Sequence, residues 1–113
     1  MHPTYLAQIA SAAQKACALT IDRPKDPHAR AQLFDALTPV ADPAFQADDP
    51  DFTHLTGLFS QARVWADIVR TRITGLGTNK DGYSAIQAIQ YSVRDLFPIL
   101  GDLSRELARR NDA

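Results

Sequence analysis

The chain has 113 residues, of which 45% are hydrophobic and 22% are charged. A chain of this length buries roughly two-thirds of its unfolded surface, which is enough for one hydrophobic core, so we expect residues 1–113 to form a single domain. Twelve basic and thirteen acidic residues leave a net charge of -1, which excludes a general electrostatic attraction to nucleic acid or to an anionic membrane surface.

Capping residues and apolar spacing predict two helices in the first third of the chain. Thr4 is placed to cap a first helix that ends at Arg23-Pro24, and its inward residues recur at helical spacing: Leu6, Ile9, Ala13 and either Ala16 or Cys17. Asp26 and Pro27 begin a second helix, which we expect to stop at Thr38-Pro39 because the residue before a proline is steered out of the helical region. The lone cysteine and the lack of a convincing signal peptide or membrane span predict a cytoplasmic protein.

A loop and a long third helix follow. Prolines and aspartates between Pro39 and Asp51 predict the loop, with Phe45 anchoring it to the core. The third helix is predicted to begin near Asp49 or Asp51 and to end at Gly75 as a left-handed C-cap. Its inward residues are Phe52, Leu55, Phe59, Ala62, Ala66, Val69 and Ile73, and this stripe is widened by Leu58, Val64, Trp65 and Ile68.

A seven-residue repeat near the C-terminus is the strongest pattern in the sequence. After a short turn over residues 75–79, a last helix is predicted from about Lys80, with a seam formed by Ile86, Ile89, Val93, Leu96, Leu100, Leu103 and Leu107. Pro98 interrupts this seam, so we expect a kink or a break there. The sequence therefore predicts an all-α antiparallel bundle of about four helices, the last one kinked or split at Pro98.

Two histidines are candidates for chemistry. Arg23 and His28, separated by four residues, resemble the motif of the HEPN ribonucleases, although prolines lie inside it. His54 follows three aspartates and resembles the phosphorylated histidine of phosphotransfer domains, although the lysine that such domains carry is missing. The aspartates are also typical of a helix N-terminus, and a solvated turn explains His28, so no catalytic residue is assigned.

No other motif predicts an enzyme or a cofactor site. Residues 75–81 resemble the calcium loop of an annexin repeat, but a turn between helices explains the glycines. The arginines of the last two helices alternate with carboxylates at helical spacing, which neutralises a nucleic-acid surface. The sequence thus predicts no metal, no cofactor, no direct nucleic-acid partner and no membrane partner.

The C-terminal half, from Leu58-Phe59-Ser60-Gln61-Ala62 through residues 85–90 to Asp95-Leu96-Phe97, resembles a group of short helical proteins of pseudomonads. The small size and the helical character of the chain are similar to those of small quorum-sensing antiactivators of the QslA type. That resemblance implies a dimeric protein that occupies the dimerisation surface of a LuxR-type transcription regulator and thereby blocks DNA binding. It assigns a role to no individual residue.

The apolar residues of the last two helices exceed what one antiparallel pair needs for its own packing, which favours a protein interface. The interface candidates are Trp65, Tyr83, Tyr91, Phe97, Pro98, Ile99 and Leu100. We therefore expect a non-enzymatic regulatory protein that binds another protein, with a homodimer as the expected state. An enzyme or phosphorelay protein that uses His28 or His54, and a purely structural dimer, are the alternatives.

Overall fold

A computed structural model describes residues 2–47, 50–76 and 83–111; for residues 83, 110 and 111 it describes the backbone alone. The chain forms α1 (Pro3–Asp22), α2 (Pro27–Ala41), a 3-10 helix (Pro50–Leu55), α3 (Thr56–Leu76) and α4 (Tyr83–Asn111). None of the described residues belongs to a strand. The predicted all-α bundle of about four helices is confirmed.

The four α-helices pack in a ring in chain order. Helix α1 packs against α2 and α4, and α3 packs against the same two helices, so α1 and α3 occupy opposite corners. Near the end of α3, Arg72 donates a hydrogen bond to Ala88 O at the start of α4, whereas Leu58 near the start of α3 lies with Glu106 at the end of α4. These contacts show that α3 and α4 run antiparallel.

The core lies along the bundle axis and includes the predicted seam. Six seam residues are buried and Ile86 is half-buried; the buried ones are Ile89, Val93, Leu96, Leu100, Leu103 and Leu107. Phe45 is fully buried, and its ring meets that of Phe59 edge-on with centroids 5.2 Å apart. Arg63 Nη1 donates a hydrogen bond to Phe45 O at 2.8 Å. The prediction that Phe45 anchors the loop is confirmed.

The helix starts are partly as predicted. Asp26 caps α2 by accepting a hydrogen bond from His28 N–H at 2.9 Å, and Pro27 takes the first helical position, as expected. The predicted cap of α1 is wrong: Thr4 lies inside the helix, and its N–H donates to the Nδ1 of His2 at 3.1 Å. An imidazole nitrogen here replaces the hydroxyl that usually satisfies a free amide at a helix start.

Two prolines lie inside helices. The prediction that α2 stops at Pro39 is wrong, because α2 continues to Ala41 and the buried side chain of Val40 packs into the core. Helix α4 runs through Pro98 as one element, so it is not split there. Leu96 and Leu100, on either side of Pro98, are fully buried, and this packing holds the helical path across the missing hydrogen bond.

Both ends of α3 differ from the prediction. The chain enters it through the 3-10 helix instead of an α-helical turn near Asp51, and Asp49 lies outside the described residues. Gly75 is not a left-handed C-cap, since α3 includes it and continues to the buried Leu76, and no described glycine has a positive φ. Helix α4 begins at Tyr83; Lys80 and the annexin-like turn at 77–81 lie outside the described residues.

Candidate protein interaction surface

The seven interface candidates occupy different environments. Tyr91 and Pro98 are exposed on the outward side of α4, with 57% of Tyr91 accessible. Leu100 is fully buried and belongs to the core. Three candidates are half-buried and pack against the core: Trp65, Phe97 and Ile99. The side chain of Tyr83 lies outside the described part of the chain.

The register of α3 and α4 places Trp65 and Ile99 at the same level of the junction between the two helices. Arg72 donates hydrogen bonds to Ala88 O at 2.9 Å and to Ser92 Oγ, which fixes the register of the two antiparallel helices. Seven residues before Arg72 is Trp65, and seven residues after Ser92 is Ile99, so two helical turns bring the indole level with Ile99. The junction therefore presents a half-exposed apolar pair.

Phe97 faces the opposite side of α4. It lines a groove of about 470 Å³ with residues of α1: Ala18, Ile21 and Asp22. The sequence grouped Phe97, Ile99 and Leu100 as candidates for one interface next to Pro98. The structure instead places Phe97 beside α1 and Leu100 in the core, whereas Ile99, two turns after Ser92, lies on the side of α4 that faces α3.

Sequence reasoning missed the outward face of α3. We define the α3 outward face as the residues opposite the buried stripe of this helix: Gly57, Gln61, Val64, Ile68, Thr71 and Gly75. Ile68 is half-buried and the others are exposed. The widened stripe was wrong for Val64, which is 55% exposed and does not face the core. The signal in the sequence was the absence of any charge at these spacings.

The arginines of α3 lie beside the α3 outward face, where they contact other parts of the bundle. Arg63 binds the loop carbonyl described above, and the guanidinium of Arg70 lies 4.7 Å from the centroid of the Phe34 ring. Arg72 is held by α4. Asp67 lies at the edge of the face. By contrast, exposed residues of α4 include Arg94, Asp95, Arg105 and Arg109, so its outward side is strongly charged.

His28 and His54 lie at opposite ends of the bundle. His28 is exposed in the first turn of α2, whereas Arg23 is the C-cap of α1 and donates its N–H to Leu19 O at 2.9 Å. The two residues of the ribonuclease-like motif thus belong to different helices. His54 is exposed in the 3-10 helix and lines a groove of about 330 Å³.

The His54 groove contains two carboxylates that already have partners. Asp102 and Glu106 line it together with Arg105. Asp102 forms an ion pair with Arg105, and Glu106 forms one with Arg109 at 3.2 Å. These carboxylates therefore face arginines one turn away on α4, and the groove is a mixed-charge surface.

The described residues lack the features of a metal centre, of a membrane span and of a reactive thiol. They contain no group of three or more histidine, cysteine, aspartate or glutamate side chains arranged for a metal ion, and none of their helices has the length and apolar character needed to span a bilayer. Burial raises the pKa of the Cys17 thiol to about 12, which keeps the thiol protonated. No family model, curated protein or solved structure matches the chain.

Proposed function

We propose that this chain is a non-enzymatic regulatory protein of the cytoplasm that binds a partner protein through helix-helix contacts at the junction of α3 and α4. The sequence resemblance makes the dimerisation surface of a LuxR-type quorum-sensing transcription regulator the partner surface to test. In this proposal the chain acts as an antiactivator, because a regulator that cannot dimerise cannot hold its DNA site. The active species is a homodimer.

The main support for this proposal is the apolar pair at this junction, Trp65 and Ile99. Trp65 and Ile99 are half-buried, so each has one side packed on the core and one side accessible. A side chain that is already ordered by the core loses little rotamer freedom on binding, and tryptophan is among the residues that contribute most to protein interfaces. Tyr91 adds a large exposed aromatic ring on the adjoining side of α4.

Two observations support the absence of enzymatic activity in this proposal. The Arg23 and His28 pair spans two helices and their connection, with the His28 N–H donating to Asp26. The carboxylates in the His54 groove are paired with arginines of their own helix. Each histidine therefore has a structural surrounding that needs no catalytic explanation.

The proposal is tested with a purified LuxR-type regulator bound to fluorescent operator DNA. Addition of the chain should lower the fluorescence anisotropy as DNA is released. Tyr91→Glu should weaken this effect by roughly tenfold or more, since it places a charge on the binding surface. Tyr5→Glu is the matched control, because Tyr5 is 55% exposed on α1, at the opposite corner of the bundle from α3.

Two results would contradict the proposal. One is a regulator that keeps its DNA at saturating concentrations of the chain. The other is a Tyr91→Glu variant that releases DNA as well as the Tyr5→Glu control. His28→Ala and His54→Ala should release DNA like the unmodified chain, and loss of activity in either folded variant would favour the enzyme or phosphorelay alternative.

A further inference from the structure

We infer that the second copy in the proposed homodimer binds through the α3 outward face, with the two α3 helices antiparallel about a two-fold axis at the level of Ala66. This inference identifies the surface and the geometry of the dimer that the proposed function assumes. It does not depend on the identity of the regulator, because it concerns a second copy of this chain alone.

The α3 outward face has the same kinds of residue on both sides of Ala66. On this face, two positions that are equally far from Ala66 hold residues of the same kind. The outermost pair is Gly57 and Gly75, and the next pair, Gln61 and Thr71, is polar and uncharged. The innermost pair, Val64 and Ile68, is β-branched and apolar. At 100° per residue, the two glycines are five full turns apart and lie on one line. The other four residues lie within about 40° of that line.

A two-fold dimer requires this kind of symmetry. In an isologous interface the same patch meets itself, so residue i contacts residue j and residue j contacts residue i. Antiparallel pairing about Ala66 places Val64 level with Ile68 of the second copy, and Gln61 level with Thr71 of the second copy. Glycine is level with glycine at both ends, so apolar contacts form the centre and no side chain blocks the ends.

The glycines favour a close approach of the two helices. No described atom other than the helix's own backbone lies within 4 Å of the position that a Cβ would take at Gly57 or at Gly75. A second helix against this line can use that space, because helices that meet at small residues approach to about 8 Å.

Charge also favours α3 over α4 as the dimer surface. The α3 outward face carries no charge, with Asp67 at its edge and Arg72 bound to α4, so pairing the two faces brings no like charges into contact. The outward side of α4 would have to remove water from several charged groups, which costs more than their pairing returns. The α3 outward face is therefore the surface that self-association can bury most readily.

The size of this face predicts a weak and reversible dimer. Helix α3 has 21 residues and is about 31 Å long. A helical stripe of that length and about 12 Å width covers on the order of 400 Å² per copy, or about 800 Å² in total, which is below the roughly 1,200 Å² at which standard specific interfaces begin. We expect dissociation in the micromolar range or weaker, so dimerisation depends on the concentration of the chain.

The test is sedimentation of the full chain and of two single variants, over concentrations from about 1 µM to 1 mM. Val64→Glu and Ile68→Lys should each raise the dissociation constant of the dimer by at least about tenfold, since each puts two charges against apolar neighbours. Both positions are accessible, so the folded state should survive, as circular dichroism verifies. Tyr5→Glu, on α1 at the opposite corner of the bundle, is the control for an added charge elsewhere and should dimerise normally.

Mixing the two variants gives the decisive result. In a mixed dimer, the new carboxylate of the Val64→Glu copy lies level with the new ammonium group of the Ile68→Lys copy, while native Ile68 and Val64 are level at the second position. Dimerisation should return to within about threefold of the unmodified chain, because the new charges are now paired. A parallel arrangement, or another surface, would not show this recovery.

Three outcomes would overturn the inference. It fails if the unmodified chain stays monomeric throughout, if Val64→Glu and Ile68→Lys dimerise normally, or if the mixture shows no recovery. A failure of the proposed function looks different: a chain that dimerises as described but does not release DNA from the regulator retains this inference and contradicts the regulatory role.

Discussion

Pro98→Ala is expected to make the protein more stable. Helix α4 continues through Pro98, which has no amide hydrogen for the carbonyl of Arg94 and whose ring crowds that turn. Proline is about 3 kcal/mol less favourable than alanine in a helix interior. Pro98 is exposed, so alanine removes no core contact, and the packing that already holds the helical path leaves an expected gain of about 1–3 kcal/mol.

Thermal unfolding measured by circular dichroism tests this gain. For a chain of 113 residues, 1 kcal/mol corresponds to about 4 °C in Tm, so the expected rise is about 4–12 °C. Pro39→Ala is the matched control: Pro39 lies two residues before the end of α2, where fewer hydrogen bonds depend on it, and its gain should be smaller. An unchanged or lower Tm for Pro98→Ala would refute the argument that Pro98 costs α4 stability.

Three further predictions concern the core. Leu96→Asp should cost at least about 3 kcal/mol, since Leu96 is fully buried, and loss of helical circular dichroism at ambient temperature would show it. Gly101→Ala should be neutral or stabilising by up to about 1 kcal/mol in urea unfolding, because the new Cβ would meet only the flexible end of Gln14, 2.7 Å away. With the Cys17 pKa raised to about 12 from 9.0, the unfolded chain ionises first, so stability should fall between these pH values in the native chain but not in Cys17→Ala.

The helices and the core could be predicted because burial repeats along the sequence. Leu96, Leu100 and Leu103 recur with the period of a helix seam, so they lie on one side of α4 and are buried together when that side packs against other helices. The same logic failed for Val64. Its neighbours suggested a wider apolar stripe, but a helix at a corner of a four-helix ring contacts two neighbours, and Val64 lies on the side that meets neither.

The helix ends were less predictable because local preference competes with tertiary packing. Thr4 is a better capping residue than His2 by intrinsic preference, yet the chain begins α1 two residues earlier and uses the His2 imidazole. Pro39 disfavours a helix at Thr38 by local sterics, yet burial of Val40 holds the last turn of α2. In both cases the contact that decides where the helix begins or ends cannot be predicted from the local sequence preference.

The candidate surface could not be read from the heptad repeat, for a physical reason. Three and four residue spacings identify the side of α4 that needs a partner, and the described structure supplies that partner within the chain, since Ile89 to Leu107 pack into one core. Evidence for association must therefore come from residues that the core does not use. On α4, half of the exposed side chains that the structure describes are charged and remain solvated at no cost, whereas the α3 outward face is uncharged from Gly57 to Gly75. A surface helix that keeps its charges at the sides and its centre apolar can bury that centre against a second helix, and this is why the proposed dimer uses α3 and not the seam that first suggested an interaction.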